Sequence, residues 1–360
     1  MSGLDKNIDG ACNRLDRRLI GNRIEWIDSL KGIAMCGVVL IHAGGANLPG
    51  YLGRIGKAGH FGVQGLFMIS GFLIWSSLEK SDESYLCWIK RKLLRLMPQY
   101  YVAYVTALLI SIYWGNTYSV PDVLVHVFGI WGFFPQYNNV IIAEWYLGAL
   151  IIFYMIAPLI YRLVNSIARA ILFFQCSIVF AYLFNRILVH VLGSRLDNYA
   201  VSSYIGNTSL WYQLPSISFG VLLFYIINYL KITGLTKKES TILSWTLVGF
   251  AIIFSMGEIA EVNRVFGFNP YIRVTFVFAL CAVSQCIHAT SIVTNKLFNL
   301  IGANSYSIYL FHLTIIQIIS KFINSETVLG VLVCTIIGIG VPLLVFFLVG
   351  KLKEVIINER

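Results

Sequence analysis

Two histidines and a short basic cluster are the positions in this chain best placed to do chemistry. His42 ends an apolar run that begins at Lys31, and His312 ends a second, Ser305-Tyr306-Ser307-Ile308-Tyr309-Leu310-Phe311-His312. An imidazole changes charge near neutral pH and can take a proton from a hydroxyl. In a helix, eleven steps from Lys31 to His42 make about three turns and roughly 16 Å of rise, so both side chains return to nearly one face. An ionisable group inside a membrane span is expensive and marks a functional site by default. Placement alone equally admits His42 as a hydrogen-bonding group between helices. Lys31 by itself reads as a flank at the cytoplasmic edge of a bilayer, and Asp28, three residues earlier, is placed to pair with it.

The basic cluster is Lys90-Arg91-Lys92-Leu93-Leu94-Arg95. Lys92 and Arg95, three apart, share a helix face and can grip the phosphates of a nucleotide or pyrophosphate. A cytoplasmic basic cluster is equally a topology signal or an anionic-lipid site, and from charge alone topology is the plainer reading. Polar groups elsewhere in apolar stretches are Gln64 and Ser70, on a segment punctuated by Gly59, Gly62, Gly65 and Gly71. Such glycines serve close helix packing. The segment after the third span holds Trp114, Tyr118, His126, Trp131, Phe133, Phe134, Pro135 and Tyr137, and Glu144-Trp145-Tyr146 opens the next helix. Residues 193–215 bring Asp197, Asn198, Asn207, Trp211, Tyr212 and Gln213. Both segments admit two readings, an interfacial aromatic belt or a surface on which sugars stack.

These groups need elements to hold them, and composition says which. The chain has 360 residues, 58% hydrophobic and only 12% charged, with a mean hydropathy of +0.75. That excludes an ordinary soluble protein and predicts an all-α, polytopic integral membrane protein. About ten spans of about 20 residues each are expected. They fall near 26–45, 61–78, 93–114, 140–160, 170–192, 209–230, 242–257, 271–290, 300–320 and 328–350. With the N-terminus inside, twenty of the 27 Lys and Arg lie on inner segments, so both termini are expected in the cytoplasm. The expected organisation is a polar cytoplasmic tail over 1–24, a transmembrane domain over 25–352 and a second tail over 353–360. No cleavable signal peptide is expected in the polar first segment. The seven cysteines are scattered singly, which predicts neither a disulfide framework nor a zinc site. No glycine-rich phosphate loop, internal repeat or other metal motif stands out.

Taken in order, these segments resemble the membrane-bound acyltransferase-3 family. The resemblance rests on Arg23…Asp28-Ser29-Leu30-Lys31-Gly32-Ile33-Ala34 with His42 beyond it, and on Gly59-x-x-Gly62-Val63-Gln64…Phe67-x-Ile69-Ser70-Gly71-Phe72. Lys92-x-x-Arg95-x-x-Pro98 and Ser305-Tyr306-Ser307-x-Tyr309-Leu310-x-His312 complete it. It covers nearly the whole chain beyond the tail. Two departures stand out: Leu150 occupies a position where many members carry Glu, and Gly65 one that is often hydrophobic. The chain resembles the stand-alone form, without an esterase-like domain.

The resemblance implies an O-acyltransferase that moves an acetyl or other short acyl group from cytoplasmic acyl-CoA to a sugar hydroxyl. The acceptor would be a cell-surface polysaccharide or its lipid-linked precursor. His42 would be the general base, with a covalent acyl-His intermediate as the less favoured variant. Lys31, Arg91, Lys92 and Arg95 would hold the donor. Gln64, Ser70, Glu144, Trp145, Ser305, Tyr309 and His312 would support the site or face the acceptor. Acetyl-CoA would be a co-substrate, with no permanently bound cofactor and no metal. The expected partners are acyl-CoA, the carbohydrate and membrane lipids, not nucleic acid, and the expected setting is a bacterial inner membrane. The rival class is a sugar or lipid transporter, for which an inverted repeat or paired broken helices would speak.

Overall fold

A computed structural model of the chain describes residues 24–134, 137, 144–192, 208–230, 236–259 and 270–358. Its helices are α1 (Glu25–His42), α2 (Gly50–Ala58), α3 (Gly62–Glu79), α4 (Tyr85–Tyr113), α5 (Val120–Val127), α6 (Trp145–Leu163) and α7 (Ile167–Leu192). Then come α8 (Leu210–Leu230), α9 (Lys237–Ile259), α10 (Pro270–Ile287), α11 (Lys296–Ala303), α12 (Ser305–Ile319) and α13 (Val328–Asn358). No strand occurs among the described residues. Residues 1–23, Pro135, Asp197, Asn198 and Asn207 lie outside them, as does most of the expected N-terminal tail. At the other end, α13 runs through the expected boundary at 352 to Asn358.

Among the described residues, seven helical segments are long and apolar enough to cross a membrane. One of them is the continuous run Gly50–Glu79, which joins α2 to α3 through a single 3₁₀ turn and begins well before the expected span at 61. α10 and α12 are apolar but shorter. The helix bearing His42 is not among the seven: Glu25, Asp28 and Lys31 make α1 too charged along its 18 residues. The expected span 300–320 is two helices, broken at Asn304.

α1 is the hub, packed against α3, α10, α11, α12 and α13. Glu25 and Asp28 sit in its first turn, where carboxylates complement the positive end of the helix dipole. It ends because Gly44 takes the left-handed conformation at φ 98°, with the Ala43 N–H returning to the Val39 carbonyl at 2.9 Å. Met35, Val38 and Val39 are buried on its inner side. Two backbone contacts set its neighbours. A methyl group on Gly302 of α11 would stand 1.6 Å from the Asp28 carbonyl oxygen, so only glycine permits this approach. On another side, Gly59 meets Gly37 and Gly62 meets Ala34, with an added Cβ only 2.2 Å from each carbonyl oxygen. This register runs α3 antiparallel to α1.

Cys36, Cys176, Cys281 and Cys334 are free. Cys87 is disulfide-bonded.

Candidate active site

The stop at Gly44 makes His42 the last residue of α1. It is exposed, not sunk in the helix as its apolar surroundings suggest. The break at Asn304 starts α12 afresh and carries His312 in from the other side, fully buried. The two imidazoles meet with ring centroids 5.3 Å apart. His60, on the 3₁₀ turn anchored by Gly59, lies close enough to act electrostatically on His42. Its Nε2 is 3.3 Å from the Tyr271 hydroxyl.

His312 has a defined tautomer. Its Nδ1 lies 2.9 Å from the Ile308 carbonyl oxygen and 2.8 Å from that of Tyr309, and only an N–H can serve two acceptors. The proton therefore sits on Nδ1 in the neutral ring, and Nε2 carries the lone pair. Nε2 is buried and has no partner, as is the hydroxyl of Tyr309, one turn earlier. The backbone amide of Tyr146 approaches that hydroxyl without forming a hydrogen bond of ordinary geometry. The Tyr309 ring lies 5.1 Å from that of Tyr146 and 6.2 Å from His312. Tyr146 bonds Ser70 at 2.9 Å, hydroxyl to hydroxyl. Tyr146, Ser70, Tyr309 and His312 thus form one polar wall leading to His42.

The basic cluster lies beside the first turns of α12. Tyr306 donates to the Leu96 carbonyl at 2.9 Å, and Gln99 donates to Ser307 at 3.0 Å. The four cations are engaged differently. Lys31 pairs with Asp28 at 2.9 Å and Arg91 with Glu83 at 3.1 Å. Lys92 lies over the Trp88 ring, 5.1 Å from its centroid. Arg95 is exposed.

Other expected site residues stand apart from His42. Gln64 turns to α8, where it donates to Gln213 at 3.1 Å. Ser305 opens α12, about 10 Å of helix rise from His312. Trp145 packs toward Phe67, with ring centroids 5.9 Å apart. Leu150 is buried.

Glu144 is not an open acceptor-side group, because it is fully buried in a network of its own. Its carboxylate takes the His126 Nε2–H at 2.7 Å and the Tyr100 hydroxyl at 3.1 Å, and its backbone carbonyl takes the Trp131 indole N–H at 3.1 Å. Nδ1 of His126 contacts the Asp122 carbonyl. The rings of Tyr104, His126, Trp131 and Tyr100 stack in sequence, from 4.5 to 5.7 Å between centroids. Burial pushes the Glu144 carboxyl above its usual range, more than His126 pulls it back. Burial also opposes charge on His126, but its hydrogen bond and charge partner Glu144 outweigh that and raise its pKa. The sequence offered His126 only as one of several residues in an aromatic outer segment. The capping box joining Ser119 and Asp122, with Pro121 in the first turn, is the local signal for α5.

A family model described as an acyltransferase domain matches residues 24–347 of the chain. Comparison with curated proteins and with solved structures returns no match.

Proposed function

This chain belongs to the acyltransferase-3 family, and we propose that it moves an acetyl or other short acyl group from cytoplasmic acyl-CoA to a sugar hydroxyl of a cell-envelope glycan or its lipid-linked precursor. The observation that carries the reading is His42, exposed at one end of α1 and beside His312, with the polar wall of Tyr309, Tyr146 and Ser70 leading back toward the basic turn at Lys92 and Arg95. Coenzyme A is polyanionic, and Lys92 and Arg95 hold its phosphates; Arg95 suits bidentate contact. Lys31 and Arg91 contribute field more than contact, since each already faces a carboxylate.

In the reaction, neutral His42 takes the proton from the acceptor hydroxyl as its oxygen attacks the thioester carbon. The tetrahedral intermediate collapses with cleavage of the carbon–sulfur bond. The leaving thiolate receives the proton from His42, so no net proton is taken up or released. The exposure of His42 suits this role, because the acceptor must reach it from outside the packed bundle. A multi-pass protein of the bacterial inner membrane fits a cytoplasmic donor and an envelope acceptor.

The test is direct. Purified protein with labelled acetyl-CoA and a cell-envelope glycan extract should release free coenzyme A and place label on glycan hydroxyls. Label that stays on acetyl-CoA across a range of glycan extracts would overturn the reading.

A further inference from the structure

The wall between the basic turn and His42 contains two groups with unmet hydrogen-bonding capacity. Both lie on α12, one turn apart: the Tyr309 hydroxyl and Nε2 of His312. Buried polar groups are nearly always paired, so two unpaired groups three residues apart on one helix face point to an occupant. Their polarities are complementary. Nδ1 of His312 is committed to the Ile308 and Tyr309 carbonyls, which leaves Nε2 as an acceptor. The Tyr309 hydroxyl still has a proton to donate.

One donor and one acceptor, one helical turn apart on neighbouring rings, are complementary to the two polar edges of a secondary amide. We propose that Tyr309 and His312 form a slot for the pantetheine amide nearest the thioester. Tyr309 donates to the amide carbonyl, and His312 Nε2 accepts the amide N–H. The slot rests on the acyl-CoA reading above and gives it a second donor contact, distinct from the phosphate clamp. It follows from position: α12 adjoins the basic turn through Tyr306 and Gln99 and reaches His42 through His312. An arm passing along this helix presents its amide to Tyr309 and His312 before its thioester reaches His42. His312 then acts by holding the donor and not by orienting His42.

The experiment compares small donors on the purified protein. S-acetyl-N-acetylcysteamine keeps the amide next to the thioester, and S-ethyl thioacetate lacks it. The wild-type chain should favour the amide-bearing donor in kcat/KM, and Tyr309→Phe should erase about threefold to tenfold of that preference. Turnover of S-ethyl thioacetate should fall less than that of the amide-bearing donor. Thermal stability should fall little, because the deleted hydroxyl makes no hydrogen bond of ordinary geometry. An equal loss with both donors, as a role at the reacting carbonyl or in folding would give, overturns the slot, as does an undiminished preference. If the variant does not insert, the wild-type chain still decides: the N-methylated cysteamine donor, which has no N–H, should drop toward S-ethyl thioacetate. A methylated donor as good as its parent overturns the proposal. A wild-type chain that uses acetyl-CoA but shows no amide preference refutes the slot alone, whereas one that uses no thioester refutes acyl transfer itself.

Discussion

Replacing His42 by Ala should lower acyl transfer by roughly 10²–10⁴-fold, the contribution of a positioned general base. A histidine serving only as a bond between helices would instead cost about 1–2 kcal/mol of stability and leave turnover largely intact. Because His42 is exposed at a helix end, thermal unfolding of the variant should stay close to the parent. At the basic turn, Lys92→Ala and Arg95→Ala should each weaken acetyl-CoA binding by about 1.5–3 kcal/mol while sparing acceptor affinity. Titration of acetyl-CoA reads this, and unchanged affinity in both variants would return the cluster to a topological role. His42 and His312 were legible in sequence because an imidazole stands out against an apolar background. Their meeting was not, since 269 intervening positions carry no periodic signal of contact. The pairing of Lys31 with Asp28 was legible, because three-residue spacing puts both on one helix face.

At the scale of elements, the Glu144–His126 pair latches α5 onto α4 and the start of α6. Both groups hold protons more tightly folded than unfolded. Stability from the pair is therefore full on the acid side and is lost as pH rises, first from the ordinary carboxylate range of about 4.3 and then through the raised value of His126, above its ordinary value of about 6.5. Thermal unfolding of the whole protein should show this downward slope. In Glu144→Gln the downward slope through the His126 range should flatten, because the hydrogen bond and charge of Glu144 no longer favour the imidazolium against burial, while the Asp122 carbonyl and charge still do. Removing one partner of a buried pair should also cost about 3–5 kcal/mol. A slope identical in both proteins would mean that the pair does not titrate with unfolding. This latch was hidden in sequence because His126 and Glu144 are 18 residues apart, on separate elements. The break at Asn304 was hidden for another reason. Residues 300–320 are apolar on average, so the short polar run Asn304-Ser305-Tyr306-Ser307 passes for a dip within one span, and Gly302 makes a close backbone approach to α1 just before the break. The continuous run Gly50–Glu79 was missed at its start because α2 is amphipathic, with Arg54 and Lys57 among its nine residues.

Across the whole molecule, the helical class and the order of elements followed from hydropathy, because a chain this apolar must satisfy its backbone within helices. The central helix α1 is not among the seven long apolar segments, since its charged residues lower its apolarity. Those charges sit at one end and the exposed imidazole at the other, which gives the bundle a direction. In the proposed reaction the donor phosphates would be held at the end bearing Lys92 and Arg95, and acyl transfer would occur at His42. Reconstitution in liposomes with a single orientation tests this most directly. Labelled acetyl-CoA is supplied to one face and an envelope glycan to the other, for the wild-type chain and for His42→Gln, which keeps some hydrogen bonding but cannot take the proton. The expected result is label on the glycan only when acetyl-CoA meets the face bearing Lys92 and Arg95, and a rate at least about 100-fold lower for the variant. Equal labelling from either face, or near-normal labelling by a properly inserted His42→Gln protein, would contradict the account.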